Sequence, residues 1–426
     1  MLNAFLRLSF PALVLLLIAG CGGGSGAGLG TTGGGGGNPT TVTIAFTGIG
    51  STPLVAAKIG SGVFTAQTLN AGTLNLSIPS GTSNYAVAFL CPSQPLLSEE
   101  IVWEASIADG TSISLGCPSE PGQTGTLGVS LDASAIPGVV HFDIDAQNSN
   151  ASLWEGASGP IANVSFPEPA GNDRVLVLAF NGLIPWSPVA AKNFDNQTVP
   201  GNLNGGNTVV FGAADKTRSE AITYNNVPSG FSIPSTYITL EMGGVGGVPF
   251  ASGVTTQYSA LPAGAQESGD SYLFEASSYA GSGSSLGVFA GTKNSGGAVS
   301  FAFPAPWTYA GPTPAALPTF SFDYTGFSGK TGVQMQGLIY WPAFTPGGST
   351  WTDEIEVAAT PNYQNGSTTM TVPDLSGLTG FLPTPTSGTK VQWEAEVWQF
   401  GSGYQSEPSL NSTWAGVENS GGYTVP

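Results

Sequence analysis

Two glutamates and a tryptophan near the C-terminus have the types and the spacing needed to hold a ligand. Glu394, Glu396 and Trp398 alternate with apolar residues between Val391 and Val397, and alternate residues of a strand point to opposite faces. We expect both carboxylates and the indole on one face, where an open tryptophan would stack on a sugar ring or meet a cationic peptide. Two other interpretations stay open: a neighbouring domain covers this face, or Trp398 is an idle surface residue.

A glutamate between an aromatic residue and an alanine occurs three times, in Trp103-Glu104-Ala105, Phe274-Glu275-Ala276 and Trp393-Glu394-Ala395. Glycosidases place two carboxylates about 5–9.5 Å apart across one cleft. One glutamate per repeat, next to a core aromatic residue, indicates instead an outward position on a strand. We therefore assign no catalytic role to these glutamates.

The string Gly283-Ser284-Ser285-Leu286-Gly287 matches the G-x-S-x-G pattern of a nucleophile elbow. That motif needs a strand, a turn and a helix around the serine and a histidine as its base. Here the serine lies in a run of glycine and serine, and His141 is the one histidine of the chain. We attribute the match to chance and expect a non-enzymatic protein, with a carbohydrate-active enzyme as the alternative.

The same histidine shares one strand face with Asp143 and Asp145, and we expect this face to be solvated. A divalent cation site would use these two aspartates and Asn148. Asn148 and Trp154, however, stand where an EF-hand loop carries its glycine and its glutamate. We predict no metal and no cofactor, and Asp143 and Asp145 are the candidates should a cation bind.

The charge of the chain argues against one class of partner. Nine Lys and Arg stand against 27 Asp and Glu, so the net charge is −18. Phosphate backbones are bound through clustered Lys and Arg, and nucleic acid is therefore not expected as a partner. The hydrophobic content of 41% is enough to build cores, while 62 Gly and 32 Pro require many turns.

The first 20 residues have the pattern of an export signal. The apolar run from Leu8 to Gly20 is shorter than the about 20 residues that span a bilayer and suits a signal-peptide core. Ile18-Ala19-Gly20-Cys21 resembles the lipobox of bacterial lipoproteins. The resemblance implies that residues 1–20 are removed, that Cys21 carries fatty acyl chains, and that these chains hold the protein at the cell envelope. An ordinary secretory signal with an incidental cysteine is the other interpretation.

Position 22 is Gly, whereas an Asp there often marks inner-membrane retention in that family. The resemblance therefore favours the outer membrane or the cell surface. Residues 21–40 are rich in glycine and predict a flexible tether with a span of about 25 Å. The two remaining cysteines, Cys91 and Cys117, fall by parity on inward faces of predicted strands. We expect them to form a disulfide, which would close a loop of about 25 residues and stabilise the fold by about 3 kcal/mol.

From Thr41 onwards, apolar and polar residues alternate with the period of β-strands, and no stretch has a convincing helical period. Ala45-Phe46-Thr47-Gly48 recurs as Ala179-Phe180-Asn181-Gly182. Units of this length with many short strands are typical of β-sandwich modules. The strand of Trp103 and the Asp109-Gly110 turn that follows it are similar to part of fibronectin-type or immunoglobulin-like modules.

The sequence thus predicts an all-β fold of three tandem sandwiches, at 41–168, 169–312 and 313–426, rather than one long solenoid, which would repeat every 20–50 residues or so. The prediction for function is a lipid-anchored envelope protein that presents these repeats for adhesion, structural support or ligand binding. Its expected partners are the membrane, through the acyl chains, and a glycan or a protein ligand.

Overall fold

The computed structural model describes residues 38–49, 53–91, 97–117, 125–147, 155–156, 161–168, 170–182, 186–243, 245–281, 286–327, 332–344, 350–400 and 412–426. The predicted signal, Cys21 and most of the tether lie outside these residues, as does Ser285, the serine of the G-x-S-x-G string. No helix in the described part is both long enough and apolar enough to cross a membrane.

Strands dominate the described residues, and the prediction of an all-β fold is confirmed. Helical structure there is limited to α1 (Pro361–Gln364) and two 3-10 turns, Leu203–Gly206 and Ala213–Asp215. The strands up to the middle of the chain are β1 (Thr40–Thr47), β2 (Leu54–Ile59), β3 (Thr65–Gln67), β4 (Thr73–Ile78), β5 (Asn84–Leu90), β6 (Leu97–Ser106), β7 (Ser112–Gly116), β8 (Gly125–Asp132), β9 (His141–Ala146), β10 (Glu155–Gly156), β11 (Ile161–Glu168), β12 (Gly171–Phe180), β13 (Pro188–Val199), β14 (Gly201–Asn202) and β15 (Val209–Val210).

The strands of the remaining chain follow the same alternating pattern. They are β16 (Arg218–Asn225), β17 (Ser235–Met242), β18 (Val245–Val254), β19 (Gln257–Ala260), β20 (Ser271–Tyr279), β21 (Leu286–Asn294), β22 (Val299–Ala302), β23 (Thr319–Ser321), β24 (Val333–Phe344), β25 (Thr350–Ala359), β26 (Thr369–Thr371), β27 (Lys390–Phe400) and β28 (Thr413–Thr424).

One 12-stranded sheet, called here the long sheet, runs through the molecule in the order β18-β17-β20-β21-β28-β27-β24-β25-β6-β5-β2-β3. Neighbouring strands are antiparallel except β25 and β6, which are parallel. This parallel pair joins strands from the first and the last of the three predicted units, and the middle unit contributes β17, β18, β20 and β21. Strands of all three predicted units therefore share one sheet.

One face of the long sheet, called here the apolar face, packs into the main hydrophobic core. Its central strands supply buried side chains to this core: Val333, Met335, Ile339, Ile355, Val357, Val391, Trp393, Ala395 and Val397. Residues from the small sheets β19-β16-β22 and β23-β26 belong to the same core, among them Ile222, Phe301, Phe320 and Met370. The long sheet and these two sheets thus bury a common apolar layer.

The opposite face is covered at one end by the sheet β4-β1-β7. Val42, Ile44 and Phe46 pack there with residues of β5 and β6, including Trp103, which is 1% exposed. Cys91 and Cys117 lie in this core, and their Sγ atoms form the predicted disulfide, with Cα atoms 5.4 Å apart. The prediction of the cysteine pair is therefore confirmed.

A second pair of sheets, β10-β9-β12-β13 and β11-β8-β14, encloses a separate core. Hydrogen bonds between β9 and β12 cross the predicted boundary at residue 168. The edges of the hydrogen-bonded sheets thus do not coincide with that boundary, and the count of three units stays a prediction. Arg174 of β12 ties this pair to the long sheet, because its Nη1 atom lies 2.5 Å from Oδ1 of Asp270, just before β20.

Candidate functional site

The middle of the second face of the long sheet carries seven glutamates among the described residues, and we call it the carboxyl face. The glutamates come from β6, β20, β25, β27 and β28, and strand pairing places two glutamines of β24 and a tryptophan of β27 among them. Its defining residues are Glu99, Glu275, Gln334, Gln336, Glu354, Glu356, Glu394, Glu396, Trp398 and Glu418.

Register explains why these side chains meet. Glu396 on β27 stands directly opposite Glu418 on β28 and opposite Gln336 on β24. Farther along, Glu354 on β25 is paired in register with Glu99 on β6. Directly opposed residues of neighbouring antiparallel strands have Cβ atoms about 4.5–5.5 Å apart. The face therefore carries short rows of two carboxyl groups across neighbouring strands, Glu396 with Glu418 and Glu354 with Glu99, while Leu338 stands between Glu394 and Glu356.

The predicted grouping of Glu394, Glu396 and Trp398 on one face is confirmed, since the alternate residues of β27 belong to the main core. Trp398 itself is only 5% exposed. Its ring packs against Phe289, with centroids 5.5 Å apart, and lies so close over Gly416 that a Cβ there would overlap it. Trp398 is thus neither an open stacking platform nor an idle surface residue.

What Trp398 brings to the face is a hydrogen-bond donor. Its Nε1 donates to Oε2 of Glu396 at 2.6 Å, and a donor of this kind favours the ionised carboxylate. Burial nevertheless raises the pKa of Glu396 to about 7, with the Trp398 hydrogen bond acting in the opposite direction.

The other carboxyl groups of the face are raised for the same reason. Burial is the main cause, and the charges of neighbouring glutamates add to it, because both disfavour ionisation. The pKa values rise to about 7 for Glu99 and Glu275, to about 8 for Glu354 and Glu394, and well above the ordinary value for Glu356 and Glu418. At neutral pH the face therefore holds a mixture of carboxylic acids and carboxylates.

Positive charge does not balance these groups among the described residues of the face. Lys293 of β21 lies on the same side of the sheet but is paired with Glu241, with Nζ 2.5 Å from Oε2. Lys390 begins β27 and is exposed at the far end of that strand. The middle of the carboxyl face is consequently an acidic patch without a paired cation in the described structure.

Two buried acceptor atoms of the face have no hydrogen-bond partner. Gln334 is 0% exposed and its Oε1 is unpartnered, while its Nε2 reaches Oε1 of Gln336 at 3.5 Å. Oε2 of Glu394 is likewise unpartnered. A buried polar atom without a partner is costly, so a hydrogen-bond donor at either position would be favourable.

Solvent can reach part of this face. Glu275, Glu354, Glu394 and Glu418 are partly exposed, while Glu356, Glu396 and the two glutamines are buried. The deeper polar groups therefore lie beneath a layer of accessible carboxyl groups. A ligand approaching the face meets the exposed carboxyls first.

Asp143 and Asp145, by contrast, are 0% and 1% exposed, so the expectation of a solvated face on β9 is wrong. The reason is that they share their face with Leu176 and Leu178 of β12, which belong to the main core. Among the described residues, no three His, Cys, Asp or Glu side chains are grouped so as to hold a metal ion.

The two aspartates also lie near one margin of the carboxyl face. Burial first, and then the charges of Glu275, Asp145 and Asp143, raise the pKa of Tyr237 to about 12, while a hydrogen bond with Thr239 lowers it. Tyr237 stands directly opposite Glu275 in the sheet. The acidic character therefore continues from β27 towards β17.

Glu104 does not join this group although it belongs to the same repeated string as Glu275 and Glu394. It lies on the apolar side of the sheet, is 5% exposed, and accepts a hydrogen bond from Nζ of Lys58 at 3.4 Å. The predicted outward position is thus wrong for Glu104, which has its own cation. Glu275 and Glu394 are partly exposed, as an outward position requires.

Several residues of the face are not among the candidates that the sequence predicts. Glu354 and Glu356 alternate with Ile355 and Val357, and Gln334 and Gln336 alternate with Val333 and Met335 in the same way. That alternation was the available signal, but only the strand order brings the three segments together. No protein-family model and no curated protein matches this sequence.

Proposed function

We propose that this chain is a lipid-anchored protein of the cell envelope that binds a polar, donor-bearing ligand on its carboxyl face, without catalysing a reaction. The observation that carries the binding role is the fully buried Oε1 of Gln334, which has no hydrogen-bond partner although Gln334 lies opposite Trp398 in the sheet. A ligand that donates hydrogen bonds would satisfy this oxygen and the unpartnered Oε2 of Glu394.

The anchor rests on the lipobox-like string that ends at Cys21 and on the glycine-rich tether after it. A tether of this kind lets the β-sheet body reorient above a lipid surface, so that the carboxyl face can meet a soluble or a cell-wall ligand. The strongly acidic chain has little electrostatic attraction for anionic lipid, and two or three acyl chains supply the attachment instead.

A binding screen tests this role directly. The full chain, extracted from membranes in a neutral detergent, is applied to arrays of glycans and of basic and neutral peptides. We expect at least one ligand class to bind, and binding to fall about tenfold or more in Glu396→Gln. Ligands that bind wild type and Glu396→Gln equally would show that the carboxyl face is not the site.

A second function is favoured by one observation, the direct opposition of Glu396 and Glu418 on neighbouring strands. Glycoside hydrolysis uses two carboxyl groups about 5–9.5 Å apart, one of which is protonated. Glu418 would be the protonated member, because burial and then the charge of Glu394 raise its pKa well above normal. Release of reducing sugar from labelled polysaccharides, lost in Glu418→Gln, would replace the binding role with this one.

A further inference from the structure

Among the described residues of the carboxyl face, the buried atoms without a partner are acceptors in the ionised face. Oε1 of Gln334 always accepts hydrogen bonds, and Oε2 of Glu394 accepts them once that carboxyl group is ionised. A ligand rich in acceptors, such as a phosphate or a carboxylate, would add repulsion without satisfying them. The missing partner is therefore a donor.

The charge of the face restricts the chemical class of the ligand further. Seven glutamates lie together, and of the lysines that the structure describes on the same side, Lys293 is paired with Glu241 and Lys390 lies at the strand end. Like charges crowded on one surface disfavour ionisation of one another. A positively charged ligand would relieve this repulsion and supply the donors at the same time.

We propose that the ligand of the carboxyl face is an organic cation that carries primary ammonium groups. An ammonium group has three donors and no acceptor, which matches the unpartnered oxygens of Gln334 and Glu394. The proposed ligand class rests on the proposed binding role of the same face and adds the chemistry that the ligand must have.

The spacing of the carboxyl groups favours more than one amine. Glu394 and Glu396 follow each other on the same side of β27, about 7 Å apart along the strand, and Glu418 lies on the next strand, about 4.8 Å away. Short methylene chains between amines cover separations of this size. A polyamine would thus reach two or more carboxylates of the row at once.

A bare metal ion fits this arrangement poorly. Calcium and magnesium need six or more oxygen ligands converging on one point, whereas these carboxyl groups are spread over a sheet. Among the described residues, no group of three acidic, histidine or cysteine side chains converges in that way. An extended cation uses the row as it stands.

Cation binding is expected to release protons. Because several carboxyl groups of the face are partly protonated near neutral pH, a bound ammonium favours their ionised form. The proton release comes from the seven glutamates of the face. The other titratable or charged groups that lie near these glutamates are Tyr237 and Tyr279 at the margin, Asp143 and Asp145 from β9, and Lys293, Glu241 and Lys390 at the ends. Affinity should rise with pH.

Titration calorimetry of the detergent-extracted full chain tests the proposal, with spermidine as the probe. We expect binding that strengthens about tenfold from pH 5.5 to 7.5 and a heat that depends on the buffer, because protons are released. Glu396→Gln should weaken binding about tenfold. Asp374 is an exposed turn residue whose carboxylate accepts a hydrogen bond from the backbone N–H of Ser376. As a control, Asp374→Asn should change the spermidine affinity less than about twofold.

Three further probes decide between explanations. Triacetylspermidine, which has the same chain without the charge, should not bind, and neither should magnesium at the same concentration. If either binds as well as spermidine, the ammonium class is wrong. If cellotriose binds in a Glu396-dependent way and spermidine does not, the face is a binding site for neutral saccharides. If no arrayed ligand and no probe binds, the binding role itself falls.

Discussion

The ring of Trp398 lies directly over Gly416 on the neighbouring strand, in the space that a side chain at position 416 would fill. This contact holds the indole flat on the sheet, so that Nε1 points along β27 to Glu396. A glycine on one strand thereby fixes the donor that serves a carboxylate on another. The carboxyl face depends on this pair for its geometry.

Replacing Gly416 with alanine is therefore expected to destabilise the protein by about 1–3 kcal/mol, the usual cost of overpacking. Chemical denaturation measures this loss. Gly264→Ala is the matched control, since a Cβ there meets no atom within 4 Å, and it should change stability by less than about 0.5 kcal/mol. Equal stability of the two variants would contradict the packing of Trp398 on Gly416.

The pH dependence of stability follows from the raised pKa values of the face. Glu396 and Glu99 have an ordinary pKa of 4.5 that rises to about 7 in the fold. Between these values the folded chain holds more protons than the unfolded one, so folding stability falls as pH rises. The thermal midpoint of the ligand-free protein should thus be higher at pH 5 than at pH 8.

A glutamine substitution isolates this effect. Glu356 is buried, and its pKa is raised well above normal. Because glutamine carries no charge at any pH, the Glu356→Gln variant should be more stable than wild type at pH 8 and similar to it at pH 5. A wild-type midpoint that rises steadily from pH 5 to pH 8 would contradict the burial of these carboxyl groups.

The local features of the fold can be predicted from the sequence, whereas the long-range features cannot. The all-β fold, the parity of β27 and the pairing of Cys91 with Cys117 follow from alternation alone, which is a local property. The order of strands in the long sheet is set by contacts between distant segments, such as the parallel pairing of β25 with β6. The carboxyl face is a product of that order and could not be read from any one segment.

The repeated aromatic–glutamate–alanine string illustrates the limit. Phe274 and Trp393 point into the main core, whereas Trp103 points to the opposite face of the same sheet, into the core beneath β1. A change of one residue in register reverses every side chain of a strand. The sequence pattern therefore groups Glu104 with Glu275 and Glu394, although Glu104 lies on the other side of the sheet in the fold.

The disulfide gives another measurable outcome. Cys91 and Cys117 are separated by 26 residues and join the end of β5 to the end of β7. Removing both with Cys91→Ala and Cys117→Ala should cost about 3 kcal/mol in denaturant unfolding, since the closed loop restricts the unfolded chain. Reducing agent should lower the stability of wild type by a similar amount and leave the double variant unchanged. A variant as stable as wild type would show that the bond contributes nothing.

One buried ion pair helps to tie the second pair of sheets to the long sheet, beside the apolar contacts that Leu176 and Leu178 make in the main core. Nη1 and Nη2 of Arg174 reach the two carboxylate oxygens of Asp270 at 2.5 and 2.9 Å, and both side chains are buried. Losing one partner leaves an uncompensated charge, which costs about 3–5 kcal/mol. Arg174→Met should therefore lower the free energy of unfolding by about that amount, as denaturant unfolding measures.

In Arg174→Met with Asp270→Asn the unpaired buried carboxylate is removed, so part of the loss should be recovered. Partly exposed Lys192, paired with Asp215 at 3.2 Å, is the control, because Lys192→Met should cost less than about 1 kcal/mol. Equal losses in Arg174→Met and Lys192→Met would mean that the buried pair does not hold the two parts together.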